Sequence, residues 1–260
     1  MNLKFFKYQG AGNDFIMIDN RNGHFDKTNI RLINHLCDRR FGVGADGLII
    51  LEEGTGTDFS MFYANANGLE GSMCGNGGRC IVAFAKSLGI IADYATFSAI
   101  DGIHTAKIAG SQVALSMMPV KKIVEAEGHY VSDTGSPHVV VFEEDLDEAD
   151  VFNLGRLIRF AEPFKVSGVN VDFIELNDGR LHIRTYERGV EDETLACGTG
   201  VVAAALTLAY KEKRIGHQTQ TVVARGGILE VRFDALADCS FSSIELTGPT
   251  QLVFEGIIDL

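Results

Sequence analysis

The 260-residue sequence predicts an α+β fold made of two pseudo-equivalent lobes, each a set of strands around one buried helix. Three observations carry this. The first is an internal repeat: Gly12-Asn13-Asp14-Phe15-Ile16 and Gly135-Ser136-Pro137-His138-Val139 begin 123 positions apart, as do Cys74-Gly75-Asn76-Gly77 and Cys197-Gly198-Thr199-Gly200. Thr96-Phe97-Ser98-Ala99 and Thr221-Val222-Val223-Ala224 continue the match at an offset of 125. A period this long is a domain rather than a solenoid unit. The second observation is that both Cys-Gly turns run into segments apolar on nearly every face, and such helices must be buried. The third is the alternating pattern of Ser111 to Met117 and Ile228 to Phe233, which reads as half-buried strands.

Taken in order, Ile30 to Arg40 reads as helical, with Leu32, Ile33 and Leu36 on one face, and Leu48-Ile49-Ile50-Leu51 reads as a strand. Between them, Gly42-Val43-Gly44-Ala45-Asp46-Gly47 spells G-x-G-x-x-G, but the dinucleotide fingerprint needs a strand before it and a helix after it. Here the order is reversed, so the segment is a turn. Ile81, Phe84, Ala85 and Leu88 predict the first half's central helix, stopping at Gly89; Val201 to Ala209, with Lys211, predicts the second. The lobes are expected over 1–118, joined by the tail 249–260, and over 119–248, with the boundary at Met117-Met118-Pro119-Val120-Lys121.

Composition narrows the function classes. Hydrophobic residues make up 46% and charged residues 22%, as in ordinary globular proteins. A formal charge of −12 with no Lys/Arg block argues against nucleic acid as a partner. No uncharged apolar run approaches the length of a membrane span, and no signal-peptide pattern opens the chain, so a cytoplasmic protein acting on a small molecule is expected. Five cysteines without a CxxC pair predict reduced thiols, neither a disulfide framework nor a metal site. Cys37, Cys80 and Cys239 are expected to be small buried hydrophobes.

Cys74 and Cys197 are different. Each precedes its helix, where first-turn N–H groups lack intrahelical acceptors and favour an anion. A free thiol is only about 3% ionised at pH 7, whereas thiols at helix starts fall to pKa values of roughly 3.5 to 7.5. One such turn fits a nucleophile, a redox thiol or a tight helix start. Two in register fit inversion at carbon, one thiolate removing a proton from one face and one thiol delivering a proton to the other. A reversible thiol pair and an anion-binding protein remain alternative readings of the same turns.

The segments Met73-Cys74-Gly75-Asn76-Gly77-Gly78-Arg79-Cys80 and Glu193-Thr194-Leu195-Ala196-Cys197-Gly198-Thr199-Gly200 resemble the two active-site signatures of diaminopimelate epimerases. Asn65-Ala66-Asn67-Gly68, Val169-Asn170-Val171 and Tyr186-Glu187-Arg188-Gly189 extend the likeness over nearly the whole chain. The resemblance implies mixed, mostly antiparallel sheets or barrels around each central helix, with the active site in the cleft between lobes. It implies interconversion of L,L- and meso-2,6-diaminopimelate without pyridoxal phosphate, other cofactor or metal, in a homodimer. By position, Asn13, Asn65, Asn170 and Arg188 would hold the distal end of the substrate, and Glu187 would orient the reacting amino group. Gly75, Asn76, Gly198 and Thr199 would supply the helix-start N–H groups, and His138 is expected in the cleft without a proton-transfer role. Asn67, Ser136 and Gly47 depart from the family pattern at positions near substrate. Asn76 argues against the related proline racemases, which carry His after this Cys-Gly.

Overall fold

The computed structural model describes residues 2–126 and 128–260. Its first unit, Met1–Leu115 with Gly248–Leu260, contains β1 (Asn2–Gly10), β2 (Asn13–Asp19), α1 (Ile30–Cys37), β3 (Gly47–Glu53), β4 (Phe59–Asn65), α2 (Gly75–Ser87), β5 (Tyr94–Ala99), β6 (Gly102–Ala109) and β7 (Gln112–Ser116). The second unit, Ser116–Thr247, contains β8 (Val124–Ala126), β9 (His129–Asp133), β10 (Pro137–Phe142), α3 (Val151–Arg159), β11 (Asn170–Asn177), β12 (Arg180–Glu187) and β13 (Asp192–Thr194). It continues with α4 (Gly198–Lys211), β14 (Gly216–Ala224), β15 (Gly227–Ala235) and β16 (Phe241–Pro249); β17 (Gln251–Asp259) returns to the first unit. No helix among the described residues is long and apolar enough to cross a membrane.

The two units repeat one pattern of strand directions. In the first, β17 pairs antiparallel with β1 and β1 with β2; β2 and β3 are parallel, β3 and β4 antiparallel, β4 and β5 parallel, then β5, β6 and β7 antiparallel in turn. In the second, β8 pairs antiparallel with β9 and β9 with β10; β10 and β11 are parallel, β11 and β12 antiparallel, β12 and β14 parallel, then β14, β15 and β16 antiparallel. The repeat seen in a handful of residues therefore extends through eight strands of each unit, with the short β13 added in the second. The four parallel steps exist because α1, α2, α3 and α4 each lie in the crossover between a pair of parallel strands, as such connections require.

Each sheet wraps a central helix. α2 packs against β1, β2, β3, β4, β6 and β17, and α4 against β9, β10, β11, β12, β14 and β15. This is why α4 is buried from Gly198 to Ala209 without a polar face. The run Leu48–Leu51 is buried on both sides because α2 and α1 both pack on β3: Ile49 meets the first turn of α2, while Leu48 and Ile50 join Ile33 and Leu36 of α1. β11 repeats this between α4 and α3.

Three local expectations are corrected. The α1 helix ends at Cys37 rather than Arg40, because the Asp38 carboxylate accepts from the Arg40 and Phe41 N–H groups and turns the chain out of the helix. The second unit holds a helix beyond the central one that was expected: α3 starts at the Asp150 cap, whose side chain accepts from Asn153 N–H at 3.2 Å. Cys239 is exposed, in a turn with φ +64° ahead of β16.

Candidate active site

In the first unit four elements place their ends together. Asn13 opens β2, Gly47 opens β3, Asn65 closes β4 and Gly75 opens α2, with Phe15 opposite Gly47 and Gly47 opposite Asn65 in the ladder. The second unit does the same with the start of β10, Asn170 opening β11, Glu187 closing β12 and Gly198 opening α4. The sequence-predicted residues thus gather at one end of each sheet, where its helix begins.

Cys74 and Cys197 are the N-caps of α2 and α4, at φ −109°, ψ 115° and φ −111°, ψ 115°. The Cys74 Sγ accepts from the Gly77 N–H at 3.4 Å, an interaction that orients sulfur toward the positive helix end. Beside it, Asn76 Nδ2 donates to Asn13 Oδ1 at 3.2 Å, and Arg79 Nη2 donates to Asn76 Oδ1 at 2.9 Å. Asn65 is exposed, its Oδ1 accepting from Tyr63 Oη at 3.0 Å. Cys37 and Cys80, by contrast, are buried thiols pushed up to about 12 by desolvation, and both are packing residues.

The Cys197 turn is more enclosed. His138, fully buried, has Nδ1 2.7 Å from Asp172 Oδ2 and Nε2 2.8 Å from Thr199 Oγ1, which lies 3.4 Å from Cys197 Sγ. Facing the Asp172 carboxylate, Nδ1 carries a proton, and the Thr199 hydroxyl lies between Nε2 and the Cys197 sulfur. His138 therefore reaches the thiol through Thr199 and does not border open space. Burial pushes the Cys197 thiol well above its ordinary value, and the Glu187 and Asp172 carboxylates push the same way, against Thr199. The lowering expected from a helix start is overridden here.

Asn170 ties the remaining groups together. Its Nδ2 donates to Ser136 Oγ at 3.0 Å and its Oδ1 accepts from Arg188 N–H at 2.8 Å, while Arg188 Nη2 donates to Ser136 Oγ at 3.2 Å and Nη1 to Ser167 O at 3.0 Å. Ser136 thus holds Arg188. Glu187 accepts from Thr194 Oγ1 at 2.9 Å. A Cβ on Gly200 would fall 2.4 Å from Asp172 Oδ1, so only glycine lets the first turn of α4 approach that carboxylate. Asp172 and Arg79 were missing from the sequence-predicted set, although a charged residue inside an apolar strand or helix is itself a signal. Among the described residues, no three His, Cys, Asp or Glu side chains stand close enough to share a metal ion.

A family model described as Diaminopimelate epimerase matches residues 5–122 and 130–253. The chain is 48% identical over 258 residues to a diaminopimelate epimerase of Flavobacterium psychrophilum, covering 98% of this chain and 100% of that one. It is 43% identical over 261 residues to that of Chlorobaculum tepidum, covering 96% and 99%. Among solved structures, a phenazine biosynthesis protein of the PhzF family from Bacillus anthracis has a TM-score of 0.81 at 15% identity, with both chains fully covered. A hydroxyproline epimerase from Agrobacterium vitis has 0.72 at 14%, covering 100% of this chain and 93% of that one. These two likenesses show the fold alone.

Proposed function

The chain belongs to the diaminopimelate epimerase family, an isomerase of lysine biosynthesis, and from that premise we propose that it interconverts L,L- and meso-2,6-diaminopimelate with Cys74 and Cys197 acting on opposite faces of one α-carbon. The observation that carries the two-base reading is the pair of cysteine N-caps with the same backbone conformation at equivalent places in the repeat. One sulfur, as thiolate, takes the α-proton; the other, as thiol, returns a proton from the opposite side. Each transfer by a positioned acid or base contributes about 10² to 10⁴ in rate.

Negative charge then develops on the substrate's carboxylate, and the N–H groups of Gly75, Asn76, Gly198 and Thr199 at the two helix starts are the donors aimed at it. They take the place of a cofactor electron sink. Burial, with the Glu187 and Asp172 carboxylates nearby, favours the thiol form of Cys197 and supports its serving as proton donor to a substrate deprotonated at Cys74, with the roles exchanged in the reverse reaction. Asn13, Asn65, Asn170 and Arg188 hold the distal amino-acid end, Arg188 by the planar fork that matches a carboxylate. Glu187 orients the reacting amino group. The same reading expects a homodimer in the cytoplasm.

Reduced protein incubated with L,L-diaminopimelate in deuterated water is expected to incorporate deuterium at one α-carbon while the meso isomer accumulates. Absence of exchange under reducing conditions would overturn the proposal.

A further inference from the structure

Arg79 lies in the second turn of α2, fully buried. Among the described residues no carboxylate pairs with it, and its Nε has no hydrogen-bond partner. Its fork donates to two neutral acceptors, Gly75 O at 3.2 Å and Asn76 Oδ1 at 2.9 Å. A guanidinium stays protonated in proteins even though burial pulls Arg79 below its ordinary value. An uncompensated buried charge is costly, so such a group persists where something nearby uses it.

Two neighbours can use it. By bonding the carbonyl of Gly75, the residue after Cys74, the guanidinium sits at the Cys74 turn, and Cys80 is its neighbour in sequence, so two sulfurs are at hand: Cys80 buried, Cys74 partly open. Cys80 is fully buried and its thiol is pushed up to about 12, which leaves Cys74 as the sulfur able to become the counter-charge. The second use is directional. Arg79 can only donate, so the Asn76 oxygen must face it; Asn76 Nδ2 is thereby turned to Asn13 Oδ1. With its oxygen engaged, Asn13 is left presenting Nδ2, a donor, and Asn13 is half-buried at the start of β2.

We propose that Arg79 is a positioning residue of the Cys74 turn, holding the anion at that sulfur and setting the direction of the Asn76–Asn13 amide chain so that Asn13 offers a donor to a substrate carboxylate. The proposal rests on the epimerase reading for its substrate but not for its effect on sulfur. Several other charges on the strands around α2 have partners of their own: Lys7 of β1 and Asp14 of β2 pair with each other, Glu52 of β3 with Lys27, His104 of β6 with Asp101 and Glu255 of β17 with Lys4, while Glu53 of β3, Lys107 of β6 and Asp259 of β17 are exposed. Tyr8 of β1 donates to Ser87.

The test is the pH profile of iodoacetamide alkylation at Cys74, read by peptide mass spectrometry on the full chain, with Cys197 and Cys239 as internal references and KM measured alongside. In Arg79→Met and Arg79→Gln, the Cys74 profile should move up by about one pH unit, giving about tenfold slower alkylation at pH 7, while Cys197 holds. Arg79→Lys keeps the charge and loses the fork, so its Cys74 profile should match the parent while KM rises several-fold. A neutral variant that folds and leaves the Cys74 profile unmoved overturns the proposal. If neither neutral variant folds, an Arg79→Lys enzyme with unchanged KM overturns it. Loss of the epimerase reading would instead show as no deuterium exchange in the parent protein, with the alkylation shift intact.

Discussion

At the scale of single residues, the two cysteines share a cap and differ in surroundings. Cys197 faces the carboxylates of Glu187 and Asp172 from inside the protein, and burial raises its thiol further. A thiol whose pKa is raised stays protonated as pH climbs, so iodoacetamide should modify Cys197 far more slowly than exposed Cys239 at pH 8. Glu187→Gln removes one of the opposing charges, so the Cys197 profile should move toward lower pH and its alkylation at pH 8 should increase. An unchanged profile in that variant would mean that burial alone sets the thiol. Cys74 and Cys197 were legible in the sequence because cysteine followed by Gly-x-Gly twice at one spacing is an unusual pattern. Asp172 and Arg79 were not, since each stands as one charge inside an apolar run and spacing does not reveal which buried neighbour it meets.

At the scale of elements, α3 shows how packing overrides propensity. Gly155 sits inside this helix, where alanine is ordinarily favoured by about 1 kcal/mol. Here a Cβ would lie 2.4 Å from Tyr186 Cβ, within backbone reach of β12. Overpacking of this kind costs roughly 1 to 3 kcal/mol. Gly155→Ala should therefore lower the thermal midpoint, whereas a stability gain would show that α3 can move away from Tyr186. The same fact explains why α3 was not read from sequence: its buried face is Val151 and Gly155, while Phe152, Leu154 and Leu157 are exposed. Apolar periodicity then points the wrong way. The helices α2 and α4 were legible because their apolar faces are nearly complete, and β3 because its run of four apolar residues is buried on both sides. Strand direction was not legible, because a period of two is the same in parallel and antiparallel ladders.

At the scale of the whole molecule, the repeat gives each half one sulfur, one helix start and one set of polar groups at the end of its strands. A two-base reaction needs both sulfurs in every turnover, so removing one already removes the step. Cys74→Ser and Cys197→Ser should each lower turnover by at least about 10²-fold, and the double variant should be scarcely worse than the more impaired single one. Multiplying losses would mean that the cysteines act independently.

The central claim is that the proton removed and the proton delivered travel through different sulfurs. It is tested most directly by where label appears early in the reaction of L,L-diaminopimelate in deuterated water. Two sulfurs predict that the inverted centre of the first meso product carries solvent deuterium throughout, while unreacted L,L substrate keeps its own hydrogen. Meso product that retains substrate hydrogen, or label entering the L,L substrate as fast as the product, would place both transfers on one base and contradict the account.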